Sequence, residues 1–273
     1  MLSRLKIYTI NIGLLIGAAG LISAAVLVMG KLDVTMQPVA LRPVASNERS
    51  AVALAEYYFQ PEVYDIAKAR HYYETAIRED PAGHVLPWYQ LSRINFIQGK
   101  FDASLHGLRK QKEYFGDEIP NVYYMKGLVY AFRADRYGSV ADWERAETAF
   151  ETFLEYEPDS PWARIDLAWV YFGQDRFTDM VDVLEPVSAE EIENPWWLNM
   201  YGVALLNLDE PERALERFLV AQEFAKQLAV SDWARVYPEN DPADWSQGLR
   251  EFQAVIDANV TIATERTALG GGN

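Results

Sequence analysis

Cysteine is absent from this 273-residue chain. That removes a lipid-modified cysteine as a membrane anchor, while leaving the redox compartment open, since cysteine-free proteins occur on both sides of a membrane. Histidine is nearly absent: His71, His84 and His106 have neither a second histidine nor an acidic residue at zinc-ligand spacing, so no metal site and no catalytic constellation is expected from them. No glycine falls in a nucleotide-cradling loop, and no serine lies in a nucleophile elbow. The acidic turn containing Glu239, Asn240, Asp241 and Asp244 lacks the alternating oxygen ligands, the glycine and the closing glutamate of a calcium loop. Positive charge is also scarce, with 25 Lys and Arg against 40 Asp and Glu, a net charge of −15. Such a surface repels phosphate backbones and anionic headgroups, which excludes nucleic acid as a partner and a domain lying flat on a bilayer. The expectation is a non-enzymatic protein without a cofactor.

One long apolar run is present. Residues 7–29 carry no charge over 23 positions, enough to cross about 30 Å of hydrocarbon at about 1.5 Å per helical residue. A cleaved signal peptide is the rival reading, but its apolar core spans only about 7–15 residues, and here Val26 and its neighbours carry the run past the small cluster Ser23, Ala24 and Ala25. The expected order is a basic tail at 1–6, a single transmembrane helix at 7–29 and a linker at 30–47 containing Pro38 and Pro43. Arg4 and Lys6 before the span favour a cytoplasmic N-terminus, with the remainder of the chain outside the cytoplasmic membrane, although Lys31, Arg42 and Arg49 partly balance them. Gly13 and Gly17 form a small-x-x-x-small pair through which two such spans could approach and form a weak homodimer.

The rest of the chain repeats itself. Ala69, Tyr73, Ala76 and Pro81 are spaced by four, three and five, and so are Ala146, Phe150, Phe153 and Pro158; Ala214, Phe218 and Ala221, and Met180, Leu184 and Val187, keep the first three positions. Upstream of these lie matching sets: Trp88, Leu91, Ser92 and Phe101; Tyr123, Gly127 and Tyr130; Leu167, Ala168, Tyr171 and Phe177; Leu198, Gly202 and Leu205. Units then begin near Ser50, Val85, Pro120, Pro161 and Pro195, in steps of 35, 35, 41 and 34 residues, the long step reflecting an insertion around 133–140. Each unit reads as a helix hairpin. Ser160, Asn194 and Asp241 stand before prolines as N-caps, and Ser139 precedes another start. Residues 231–267 read as a turn and an amphipathic helix with apolar positions from Trp245 to Ile262, suited to capping the exposed end of a stack, and 268–273 as a disordered tail. Asn259 opens a glycosylation-type triplet, but within this predicted helix.

Over 48–230 this pattern resembles the tetratricopeptide repeat, whose period is about 34 residues. Asn95 stands where an aromatic is usual and Asp175 where glycine is usual. The resemblance implies an all-α, right-handed superhelical stack of hairpins whose first helices line a concave face that holds a protein or peptide. Transferred unit by unit, its inward positions include Tyr89, Arg93, Phe96, Asn121, Tyr124, Trp162, Trp169, Phe172, Trp196 and Asn199. This face is aromatic and nearly neutral, with Arg93 its only cation. That suits an apolar helix or extended segment better than a C-terminal carboxylate, unless the C-terminal helix already fills it. The functional expectation is a membrane-anchored scaffold or adaptor at the cell envelope. The alternative is a permanent accessory subunit of a secretion, pilus or electron-transfer assembly.

Overall fold

The computed structural model describes residues 50–185, 193–238 and 240–270. The predicted span, the linker, the Gly13 and Gly17 pair and Val187 lie outside them. Among the described residues no helix is long and apolar enough to cross a membrane.

Ten helices form five consecutive hairpins, each pairing a first with a second helix: α1 (Ala51–Phe59) with α2 (Ile66–Glu79), α3 (Leu86–Ile97) with α4 (Phe101–Phe115), α5 (Pro120–Tyr137) with α6 (Val140–Tyr156), α7 (Pro161–Gly173) with α8 (Phe177–Leu184), and α9 (Pro195–Asn207) with α10 (Pro211–Gln227). Each second helix packs on the first helix of the next hairpin, and successive first helices from α3 to α9 also touch. Short α11 (Val230–Val236), a 3₁₀ turn (Pro242–Asp244) and long α12 (Trp245–Gly270) complete the chain. There is no strand among the described residues.

Capping chemistry starts these helices where the sequence places it. Ser50, Asp65, Ser139 and Ser160 each accept a backbone N–H three residues on, and Asn194 Oδ1 accepts those of Trp196 and Trp197 at 3.0 and 3.1 Å. Left-handed residues turn first helices into second ones: Gly99, Gly138, Asp175 and Asp209 have φ of 68°, 68°, 60° and 68°. Asp175 thus takes the conformation usual for glycine at this position, which aspartate and asparagine tolerate better than most other residues. Asn95, the other departure, is buried and accepts a hydrogen bond from Arg70 Nη2 at 2.7 Å, linking α2 to α3. The insertion is not a loop: it lengthens α5 to 18 residues, against 12 and 13 in its counterparts α3 and α7. Arg133 on this extension forks onto Asp142 with two contacts of 2.8 Å, pinning it to the first turn of α6.

The repeated second-helix positions are the core. Ala69, Tyr73, Ala146, Phe150, Phe153, Met180, Ala214, Phe218 and Ala221 have no exposed surface. The small residues opposite them are required by contact, since a Cβ on Gly127 would lie 2.7 Å from the Phe150 ring and one on Gly202 2.5 Å from that of Phe218. At the far end, α12 packs along α10 and against α9 and α11, burying Leu249, Phe252 and Ile256 with Leu198, Ala221, Ala225 and Trp233. The helix continues to Gly270, three residues beyond the predicted end at Thr267, and Arg266 ties its last turns to the end of α9 and the α9–α10 turn through Leu206 O and Asp209. Residues 271–273 lie outside the described region.

Candidate functional site

The face built by the first helices carries the ten residues singled out in the sequence. Eight of them, Tyr89, Arg93, Phe96, Tyr124, Trp162, Trp169, Phe172 and Asn199, are buried, while Asn121 and Trp196 are half-buried. They do not line an open groove. Their rings weld neighbouring hairpins instead: Phe96 meets Phe132 at 5.1 Å, Phe132 meets Trp169 at 5.0 Å, and Trp169 stands edge-on to Trp143 at 5.5 Å. Tyr124 lies between Phe150 and Phe153, and Phe172 meets Phe177. The physical reason is size, for bulky aromatics at a helix–helix seam are drawn into the contact between units before any partner can use them.

The last unit's share of this face is taken by the chain itself. Trp196 stacks on Phe252 of α12 at 4.7 Å and 11°, with Trp162 edge-on at 5.6 Å, and Asn199 Oδ1 accepts from Asn259 Nδ2 at 2.8 Å. Asn259, read in the sequence as part of a glycosylation-type triplet, is buried in this pair. The segment leading into α12 approaches the same face, with the Tyr237 ring 6.3 Å from that of Trp196; Tyr237 also raises the pKa of Tyr124, and Asp241 and Asp244 that of Tyr64, in the loop joining α1 to α2. In both tyrosines burial is the larger cause.

Two polar clusters survive inside. Glu56 accepts hydrogen bonds from the Tyr73 hydroxyl and from Gln90 Nε2, the latter at 3.1 Å, while Arg93 donates to Gln90 Oε1. Burial pulls the Arg93 guanidinium below its ordinary pKa, opposed by Tyr89, Tyr73 and Glu56. Further along, the Tyr124 hydroxyl donates to Asp166 of α7, whose carboxyl is pushed up to about 7 by burial, with the hydrogen bond opposing. In both clusters the hydroxyl and the carboxyl are engaged with each other inside the fold. Among the described residues no three His, Asp or Glu side chains stand where they could hold a metal ion, and His71, His84 and His106 are all exposed and scattered.

A second concavity was not singled out in the sequence. Between α4, α5 and α6 lies a cleft of about 450 Å³ with Leu105 and Ala149 in its lining, together with Tyr123, Tyr130, Arg109, Lys126 and Arg145. Its cations come from three helices, 17 and 19 residues apart. The available signal was their clustering at adjacent helices of a chain otherwise dominated by carboxylates.

The tetratricopeptide repeat family model matches residues 133–184. No curated protein matches the chain. Among solved structures, PilW, described as a widely conserved type IV pilus biogenesis factor, shares the fold with a TM-score of 0.53 at 17% identity, over 80% of this chain and 96% of that one. MamA gives 0.53 at 16%, over 64% and 95%. YrrB, described as a tetratricopeptide protein with an unusual peptide-binding site, gives 0.50 at 15%, over 67% and 89%. At these identities the likeness is one of fold.

Proposed function

We propose that this chain is a non-enzymatic scaffold of the tetratricopeptide type that holds a polypeptide partner at the cell envelope, anchored by residues 7–29 with its repeats outside the cytoplasmic membrane. The observation that carries this reading is the family match at 133–184 set within five hairpins that keep one register, beside an apolar run long enough to span. Repeat stacks of this kind offer extended surfaces and few catalytic groups. Because the first-helix aromatics are engaged within the chain, the partner docks on surfaces that the stack leaves open.

The closed first-helix face favours a second reading as well, a permanent subunit of a larger envelope assembly, since such a subunit needs a preformed outer surface and no peptide groove. PilW, with its role in pilus biogenesis, has the same fold. Crosslinking in native membranes followed by mass spectrometry tests the proposal: a specific polypeptide is captured, and fixed stoichiometry on purification selects the subunit over the adaptor. Recovery of the intact chain in the soluble fraction after alkaline carbonate extraction would overturn the anchor.

A further inference from the structure

We infer that the cleft between α4, α5 and α6 is a docking site for an acidic polypeptide segment that presents an apolar or aromatic side chain beside its carboxylates. The inference rests on the reading of the chain as a polypeptide-binding scaffold and adds where the partner sits and what it is made of.

Charge is the first argument. The protein carries −15 overall, yet this cleft brings together Arg109, Lys126 and Arg145, with Glu144 as the only carboxylate in its lining. Lys112 stands at its edge, 6.0 Å from the Tyr123 ring, and pairs at 2.8 Å with Asp117, itself mostly exposed. Arg145 reaches Asp142 through Nη1 and lies over Tyr130. Among the described residues Arg109 and Lys126 form no ion pair or hydrogen bond. Lys126 is half-buried with its ammonium 5.4 Å from the Tyr123 ring, and burial together with repulsion from Lys112 and Arg109 lowers its pKa. Of the three cations in the lining Lys126 is the one partly withdrawn from water, and an incoming carboxylate offsets both its desolvation and the repulsion from its neighbours.

The shape argument points the same way. The cleft's volume falls within the range of about 300–1,000 Å³ usual for ligand sites. Tyr123 and Tyr130 give it apolar walls topped by cations, and Tyr123 stacks on exposed Tyr156 at 6.0 Å and 16°. Thr148 and Thr152 donate their hydroxyl protons to backbone carbonyls one turn back, so the donors offered to a ligand are those of Lys and Arg and the tyrosine hydroxyls. A short peptide meets only this local positive field, since charges beyond about 8 Å are screened. A membrane surface or a nucleic acid would also meet the acidic flanks, which is why a peptide is favoured.

The test uses the full chain in detergent and three probes: a short fluorescein-labelled peptide rich in glutamate with one phenylalanine, inorganic phosphate, and vesicles containing phosphatidylglycerol. The peptide is expected to bind, more weakly at higher salt, and Arg109→Glu and Lys126→Glu are each expected to weaken it by about tenfold or more, while Lys68→Glu on α2 leaves it unchanged. Arg109 is exposed, so its variant keeps the test valid even if Lys126→Glu does not fold. Absence of peptide binding, or binding indifferent to Arg109→Glu, overturns the inference. Binding of phosphate or vesicles that depends on these cations, without peptide binding, overturns it too. Failure of the broader scaffold reading would appear separately, as no polypeptide captured by the wild-type chain in membranes.

Discussion

Trp169 shows what a single residue can mean in two settings. Its place in the repeat register marks it for a partner, but its ring has 2% exposure and is held between Phe132 and Trp143. Removing a buried tryptophan leaves a cavity, so Trp169→Ala is expected to cost about 3–5 kcal/mol in urea unfolding. A variant as stable as wild type that had lost its crosslinked partner would return Trp169 to a binding surface. Asp166 makes a prediction of a different kind. Its folded pKa of about 7 lies above its ordinary value of 3.8, so the fold prefers the protonated form. Its contribution is fully present below pH 4 and is lost as pH rises to 7. Asp166→Asn keeps an acceptor for Tyr124 without the charge. Relative to wild type it should therefore gain stability between pH 4 and 7, on the order of 2 kcal/mol after allowing for the water that reaches the group. A difference between the two proteins that stays flat with pH would show that Asp166 titrates normally. Residue type and spacing could not reveal either environment, because both depend on side chains 26 to 42 positions away.

At the scale of the helix, spacing was legible wherever the buried positions are filled by alanine and aromatics, as in α2, α6 and α10, and capped starts such as Ser160 and Asn194 were legible from the residues alone. It was hidden in α4, which keeps the same four-and-three spacing with Ser104, Leu108 and Gln111, all of them buried. Polar side chains masked the stripe there. Two of them carry a penalty, since Ser104 Oγ and Gln111 Oε1 are buried without a hydrogen-bond partner. Ser104→Ala restores the alanine that three of the other units carry, at Ala69, Ala146 and Ala214, and removes an unsatisfied hydroxyl. It is expected to raise stability by about 1 kcal/mol, read as a higher midpoint in urea with an unchanged slope. A lower midpoint would mean that the hydroxyl has a partner in solution. The lengthened α5 was legible as an insertion and not as helix, because its latch is the ion pair from Arg133 to Asp142 rather than any local helix signal.

For the whole molecule the decisive element is the last helix. A stack of hairpins ends on an apolar surface unless something covers it, and the amphipathic pattern after Pro242 announced such a cover. Its reach was not legible, for the segment before it approaches Tyr124 and Tyr64, far away in the chain. What α12 adds is both apolar and specific: Leu249, Phe252, Val255 and Ile256 are buried, while Gln253 donates to Ala225 O at 2.7 Å and Gln222 to Asp257 at 2.7 Å. Burying an aliphatic or aromatic side chain is worth about 1.5–3 kcal/mol, so a chain ending at Asp241 should lose several kcal/mol and expose Leu198, Ala221 and Trp196. Thermal unfolding of that truncation should begin well below wild type, with aggregation. Because Trp196 and Asn199 are engaged by Phe252 and Asn259, the truncation also separates two roles for α12. If the shortened protein kept its stability and bound an apolar peptide along α9, then α12 would be a displaceable occupant of a binding face; if it aggregated without gaining such binding, α12 is a structural cap.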